Sequence, residues 1–278
     1  MKGATERIER AGWRLELELP GGLDEHRAEL IRQVIAAADG SAVVPLRRSR
    51  HALTYNVRFQ APPEGPPDIF IKVIDRPRGL DRIKRLIRGS AATRLRRITA
   101  RLTAAGFGAP PLWICGYDRQ SGRELIVTPR AEGTGPLRTL IAIGSDPARR
   151  RTLLVALGAE IARLHRAGFV HGDLTPFNIF IVDGTRPRFV LLDHERTRRS
   201  FPIGRRRRNL RNLVQLGRFS LPGLSRSDRL RVLQTYATAM GWRDARGTAR
   251  RVARMLEARL ARDGGAQIIA PLRPAKCS

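Results

Sequence analysis

The sequence of 278 residues predicts an α+β fold with a strand-rich first third and a helical last half. Apolar and charged residues alternate in the early segments, which is typical of half-buried strands. After residues 131–136, apolar residues recur at helical spacing instead. Because the two patterns are segregated along the chain, we expect two lobes that join near residues 132–136.

The first third contains mainly predicted strands. The stretch WRLELELP, which starts at Trp13, alternates as a half-buried strand does. Segment 24–40 predicts a short helix that ends at Gly40. The elements predicted after it are strands in 41–60 and 68–74, a basic helix in 81–105, and strands in 111–117 and 123–130.

The second half contains mainly predicted helices. Leucines and an isoleucine recur at helical spacing from Leu153 to Leu164, and Gly168 ends this helix. A strand, a turn and a second strand follow in 178–193, and further helices are predicted at 209–219, 225–240 and 245–263. The predicted domains are an N-terminal extension (1–40), an N-lobe (41–133), a C-lobe (134–263) and a loosely ordered tail (264–278).

The charge balance restricts the class of partner. With 53 Lys and Arg against 25 Asp and Glu, the formal net charge is +28, so anionic partners are attracted and cationic ones repelled. The few aromatic residues and the lack of a recognised binding module predict no specific nucleic acid partner. No signal-peptide run and no apolar run of about 18 residues occurs, so we expect a cytoplasmic chain, or one bound peripherally to the inner membrane.

The chemistry is concentrated around VHGDLTPFNI, residues 170–179. Asp173 follows the long predicted helix, Asn178 comes five residues later, and Asp193 ends the second strand of the next hairpin. A hairpin returns the chain to the loop where it began, so these three side chains should approach one point. A carboxylate to orient an acceptor hydroxyl, together with oxygen ligands for Mg²⁺, predicts phosphoryl transfer from ATP. Lys72, on a strand between apolar neighbours, can reach the phosphates.

Several motifs resemble known families. HGDLTPFN, LLDHE and IKV resemble the protein-kinase-like fold, and the His-Gly-Asp form is similar to its small-molecule and RIO-like branches. LIRGSAATRLRRITARLTAAGFGAPP, RRRNLRNLVQLGR and SRSDRLRVLQTYA resemble the bacterial lipopolysaccharide kinase family, whose members phosphorylate Kdo or heptose sugars of the lipopolysaccharide inner core. This resemblance runs from about Val43 to Met240.

The resemblance implies a role for each motif residue. Asp173 would be the catalytic base, Asn178 and Asp193 would bind Mg²⁺, and Lys72 would contact the phosphates of ATP. Two further candidates for nucleotide contact, in the segment that replaces a glycine-rich loop, are Ser49 and Arg50.

The implied partners are a lipid-linked anionic sugar acceptor and, through peripheral contact, the anionic leaflet of the inner membrane. The arginine-rich helix from Asp81 to Arg101 is the candidate docking surface. His171 is expected to brace the catalytic loop rather than to carry protons.

One departure from the kinase pattern leaves alternatives open. Typical kinases pair the strand lysine with a helix glutamate, but no Glu occurs from Gly79 to Tyr117; Glu124 is one candidate substitute. The chain is therefore either an active kinase or a kinase-shaped binding or regulatory protein without turnover. Another small-molecule or protein kinase also remains open, although the short segment 196–208 favours a small acceptor. An antibiotic phosphotransferase is disfavoured, because its common substrates are polycations.

Overall fold

The computed structural model describes most of the chain, in residues 5–20, 23, 25–40, 45–48, 52–58, 68–75, 90–144, 146–182, 184–221, 223–264 and 267–268. Its contacts divide the chain into two compact units. The first unit comprises residues 1–101 and 109–131, and the second comprises 102–108 and 132–278.

The first unit is built on a seven-stranded antiparallel sheet with the strand order β1-β2-β6-β7-β5-β4-β3. Its strands are β1 (Glu6–Arg10), β2 (Trp13–Leu17), β3 (Arg47–Arg48), β4 (Ala52–Arg58), β5 (Asp68–Ile74), β6 (Ile114–Asp118) and β7 (Glu124–Pro129). The helices are α1 (Arg27–Asp39) and α2 (Ala91–Ala104). Residues of α2 beyond 101 are assigned to the second unit.

One face of this sheet forms the core of the first unit. Alternate residues of β5, including Ile69 and Ile71, are fully buried and cluster with Leu30 and Val34 of α1. The alternation in β2 has the same cause, because Trp13, Leu15 and Leu17 of that strand belong to the same cluster. α1 ends as predicted, since Gly40 adopts the left-handed conformation at φ 75°.

The first forty residues, predicted as an extension, contribute β1 and β2 to this sheet, where β2 pairs with β6. β1 was not predicted, because its sequence ERIER contains one apolar residue and shows no alternation. The basic helix predicted from residue 81 appears as α2 from Ala91 to Ala104, and residues 81–89 lie outside the described chain.

The second unit is mainly helical. Its helices are α3 (Pro136–Ile143), α4 (Pro147–Arg166), α5 (Arg205–Gly217), α6 (Arg226–Ala239) and α7 (Ala245–Arg262). Short strand pairs accompany them: β8 (Phe169–Val170) with β11 (Arg198–Arg199), β9 (Ile179–Val182) with β10 (Arg188–Leu191), and β12 (Phe219–Ser220) with β13 (Gln267–Ile268). Two 3₁₀ turns cover Pro176–Asn178 and His194–Arg196.

Close packing of α4 on α6 depends on a glycine. A Cβ atom at Gly158 would lie 2.6 Å from the carbonyl oxygen of Val232, so a larger residue would separate the two helices. This contact holds the long helix that leads into the VHGDLTPFNI segment. Within the described part of the chain, no helix combines the length and apolar character needed to cross a membrane.

Candidate active site

The catalytic-loop candidate begins where α4 and β8 end. Asp173 lies two residues after the buried His171, and a single 3₁₀ turn then carries the chain to Asn178, which directly precedes β9. The β9–β10 hairpin brings the chain back, and Asp193 follows two residues after β10 ends. The local order of elements is therefore the helix, loop and hairpin that the sequence predicted.

Asp173 and Asn178 are brought into direct contact. The side-chain amide of Asn178 donates to the backbone carbonyl of Asp173 over 2.9 Å. The Nδ2 atom of Asn178 also lies 3.4 Å from the carboxylate oxygen Oδ2 of Asp173. Because the NH₂ group faces Asp173, the amide oxygen Oδ1 is the remaining polar atom of Asn178 and has the chemistry of a Mg²⁺ ligand.

Leu192 ties the end of the hairpin to the same loop. Its N–H donates to the carbonyl of Asn178 over 2.9 Å, and its carbonyl accepts from Nε2 of His171 over 2.8 Å. Asp193 is the next residue, so two hydrogen bonds fix its backbone attachment beside the loop that carries Asp173 and Asn178. The hairpin return on which the sequence argument depended is present.

His171 braces this arrangement as a neutral imidazole. Nε2 must donate, because its partner is a carbonyl oxygen, and Nδ1 accepts from the backbone N–H of Asp173 over 3.1 Å. Burial of the ring lowers the pKa of His171 below its ordinary value. A neutral ring that both donates and accepts suits the bracing role.

Two polar residues of α5 that sequence reasoning did not single out complete the support. Asn212 accepts from the backbone N–H of His171 over 3.0 Å and donates to the carbonyl of the same residue over 2.6 Å. Gln215, one turn later, donates to the carbonyl of Gly172 over 3.3 Å. The signal was available in NLVQLGR, where Asn and Gln recur three residues apart on a largely apolar helix.

Gly172 explains why the motif reads His-Gly-Asp. A Cβ atom there would lie 2.1 Å from Cβ of Arg196 and 2.4 Å from its carbonyl oxygen, so only glycine fits. The segment after Asp193 passes this close because β11 pairs with β8, with Arg198 opposite Val170.

Asp193 has an unusual backbone conformation. It lies in the left-handed region at φ 57° and ψ 58°, which residues other than glycine rarely adopt. Such strain persists only where neighbouring contacts enforce it, and it is concentrated at functional sites. One enforcing contact is His194, whose buried ring donates to the carbonyl of Leu191 over 2.7 Å; burial lowers the pKa of His194 to about 3.

The first unit places Lys72 on the sheet face opposite α1. Lys72 lies across from Thr54 of β4 and Ile126 of β7, whereas its buried neighbours Ile71 and Val73 face the core. Side chains two residues apart on a strand share a face, so Glu124 lies on the same face, diagonal to Lys72.

Glu124 is a buried carboxylate, exposed by only 5%, at the start of α2. Its Oε2 accepts from the backbone N–H of Ala91, the first residue of α2, over 2.6 Å. The positive end of the helix dipole stabilises negative charge there. Thus α2 carries no glutamate of its own, but its N-terminus binds one from the neighbouring strand.

The predicted nucleotide-contact residues and the predicted docking helix stay predictions. Ser49 and Arg50 lie outside the described residues. In the candidate docking helix, Arg96 forms ion pairs with Glu16 at 2.7 Å and Glu18 at 3.0 Å, so its charge is used within the first unit.

An open groove of about 580 Å³ on the second unit lies between α3, α4 and the turn after β9. It contains none of the predicted site residues and no carboxylate. Among the described residues, no three His, Cys, Asp or Glu side chains group into a metal site. A Mg²⁺ at Asn178 and Asp193 would therefore take its other ligands from water and nucleotide phosphates, as Mg²⁺ commonly does.

Comparison with solved structures supports the fold. The solved structure of WaaP in complex with acyl carrier protein matches with a TM-score of 0.59 and 24% identity, over 88% of this chain and 98% of that one. WbdD matches at 0.45 and 18% identity, over 76% of this chain and 50% of its own. Vaccinia related kinase 3 matches at 0.34 and 14%, over 72% and 52%. The match to the WaaP structure confirms the predicted protein-kinase-like α+β fold.

Comparison of sequences identifies the family. No match was found among curated proteins. The model of the lipopolysaccharide kinase (Kdo/WaaP) family matches residues 82–236, which is more than half of the chain and includes the entire catalytic-loop candidate. The chain therefore belongs to the lipopolysaccharide kinase (Kdo/WaaP) family.

Proposed function

We propose that the chain is an ATP-dependent kinase that phosphorylates a Kdo or heptose sugar of the lipopolysaccharide inner core. The observation that carries the proposal is the hydrogen-bonded junction of Asp173, Asn178 and Leu192. Family membership supports a phosphotransferase, and the junction supplies the residue types that phosphoryl transfer requires.

In this proposal Asp173 is the catalytic base. Its backbone N–H donates to His171 and its carbonyl accepts from Asn178. These two hydrogen bonds fix the loop backbone from which the carboxylate extends. It would orient the acceptor hydroxyl and accept its proton. Positioning and proton transfer of this kind contribute about 10² to 10⁴ in rate.

Asn178 and Asp193 would hold Mg²⁺, and their oxygen atoms suit this ion. The bound ion would neutralise charge on the phosphates. The chain's own contribution is to fix both ligands, one through the amide contact with Asp173 and the other through the hydrogen bonds of Leu192. The strained conformation of Asp193 is consistent with a ligand position.

Lys72 would contact the phosphates of ATP, with Glu124 as its acidic partner. The strand register places both side chains on one sheet face as diagonal neighbours, a separation of about 7 to 8 Å that long side chains span. Glu124 would thus replace the helix glutamate of typical kinases. This substitution favours an active kinase over a binding protein without turnover.

The acceptor would be an anionic, lipid-linked sugar, reached by peripheral contact with the anionic leaflet of the inner membrane. The formal charge of +28 supports such a partner. Because the solved WaaP is in complex with acyl carrier protein, that protein is a second candidate partner, to be tested by co-purification with the full chain.

The test is transfer of labelled phosphate from ATP to lipid-linked core oligosaccharide. Wild type should label the oligosaccharide, and Asp173→Asn should not. Thermal unfolding with ATP, with and without Mg²⁺, identifies a binding protein by stabilisation without transfer. Equal labelling by wild type and Asp173→Asn would refute the proposal.

A further inference from the structure

The loop before α5 exposes two large apolar side chains to solvent. Phe201 is 81% exposed and Ile203 is 89% exposed, which makes them the most exposed large apolar residues in the described part of the chain. They flank Pro202, which is also exposed. Exposure of these two apolar side chains does not stabilise the second unit, because a polar residue at either position, or burial of the side chain, would serve the fold better.

This loop, residues 200–204, is held in place rather than loose. The guanidinium of Arg208 donates to the carbonyl of Phe201 over 2.7 Å and to the carbonyl of Ile203 over 2.6 Å, and its Nε donates to Oγ of Ser200 over 2.8 Å. Gly204 then begins α5 in the left-handed conformation. The backbone bonds face Arg208, so the two apolar side chains are presented outward in a fixed turn.

The chain on both sides of the loop is rich in arginine. Residues 196–227 contain ten arginines and no Asp, Glu or Lys. Seven of these arginines are exposed: Arg196, Arg198, Arg199, Arg206, Arg207, Arg211 and Arg226. The first turn of α5 contains no acidic residue, although arginines at a helix N-terminus oppose the helix dipole. Helix stability therefore does not account for this cluster, whereas an anionic partner does.

We propose that the 200–204 loop is a membrane anchor. Phe201 and Ile203 insert into the boundary between headgroups and acyl chains of an anionic leaflet, and the flanking arginines bind lipid phosphates. The proposal rests on the proposed function in one respect, because a lipid-linked acceptor lies at the membrane surface to which the loop would bind.

A bilayer fits this surface better than a free anionic sugar does. A free anionic sugar would pair with the arginines but would leave Phe201 and Ile203 in water. A bilayer offers both phosphates and hydrocarbon, and burial of two such side chains supplies a favourable term that charge alone lacks. On the α2 surface predicted from sequence, Arg96 is already paired within the first unit.

The test is binding of the full chain to phosphatidylcholine vesicles with and without phosphatidylglycerol. Wild type should sediment with the anionic vesicles. The double variant Phe201→Ser with Ile203→Ser should bind at least about tenfold more weakly, because two apolar side chains no longer leave water. The matched control is Ile141→Ser, which changes another exposed apolar residue, 64% exposed on α3, and should bind as wild type does.

A second variant reports insertion directly. In Phe201→Trp, the added indole should shift its emission to the blue when anionic vesicles are added, relative to the same titration of wild type. Equal thermal unfolding of all variants shows that the loop changes leave the fold intact.

Three results would overturn the anchor. Unchanged vesicle binding by the double variant would mean that charge acts alone, and an unshifted indole would mean that the loop stays in water. Loss of binding to a protein partner with vesicle binding intact would assign the loop to that partner. None of these assays requires ATP, so a chain without kinase activity that still binds through the loop would refute only the kinase proposal.

Discussion

The side-chain amide of Asn178 donates to the backbone carbonyl of Asp173 over 2.9 Å, so the candidate metal ligand and the candidate base form one hydrogen-bonded unit. Leu192 extends this unit to the strand end that carries Asp193. Changes to the side chains of Asp173 and Asn178 should therefore affect chemistry more than global stability.

Replacing the catalytic carboxylate is the first prediction. Asp173→Asn keeps the shape of the side chain but removes its ability to accept a proton, so kcat should fall by about 10² to 10⁴ with the affinity for ATP unchanged. Steady-state phosphate transfer gives kcat, and thermal unfolding checks the fold. Glu257→Gln, the same carboxyl-to-amide change at an exposed position on α7, should behave as wild type.

The metal ligand gives a second prediction. Asn178→Ala removes the amide oxygen proposed to bind Mg²⁺ and also the hydrogen bond to Asp173. Activity should then require a higher Mg²⁺ concentration for half-saturation, by about tenfold or more. Titration of activity against free Mg²⁺ measures this shift, and an unchanged midpoint would exclude Asn178 from the metal site.

The Lys72–Glu124 proposal gives a third prediction. Glu124→Gln keeps an oxygen that accepts from Ala91 but removes the charge that would orient Lys72. The KM for ATP should rise while the melting temperature stays close to that of wild type. Glu29→Gln, on the exposed side of α1, is the control. A lower melting temperature with an unchanged KM would mean that Glu124 caps the N-terminus of α2 and does not orient Lys72.

Gly172 gives a prediction about stability. In Gly172→Ala, the new methyl group would overlap Arg196, and relief of the overlap should cost about 1–3 kcal/mol of unfolding free energy. Activity should fall as well, because the loop that carries Asp173 must move. Urea unfolding measures the loss. At Gly184 an added Cβ meets only a carbonyl at 3.8 Å, so Gly184→Ala should change stability little.

The buried His165 predicts a pH dependence of stability. It lies between Tyr236 and Asn212, at 2.8 and 3.1 Å, and burial lowers its pKa to about 4, while His171 opposes its positive charge. An unfolded histidine has a pKa near ~6.5, so below that pH the unfolded state binds a proton that the native state does not.

The unfolding free energy should therefore decrease as the pH falls from about 6.5 to about 4, with up to ~1.4 kcal/mol per pH unit from this residue. Urea unfolding at several pH values measures the slope. His165→Gln should be less stable at pH 7, because two buried hydrogen bonds change, but its slope should be shallower. An equal slope would mean that His165 does not titrate in this window.

Much of the fold and part of the site could be read from local patterns. The alternation in β2 and the glycine after α1 report burial and a left-handed backbone, which are properties of neighbouring residues along the chain. The order of Asp173, Asn178 and Asp193 around a hairpin is equally local, because a two-stranded return brings its ends together whatever surrounds it.

Only the tertiary structure decided the contacts between residues that are distant in the sequence. Glu124 reaches the start of α2 through strand pairing, and Gly172 is required because Arg196, in the turn that leads to β11, passes over the loop. The outward presentation of Phe201 depends on Arg208 capturing the loop carbonyls. Periodicity shows which face of an element is buried but not which partner buries it, since the partner is selected by packing of the whole unit.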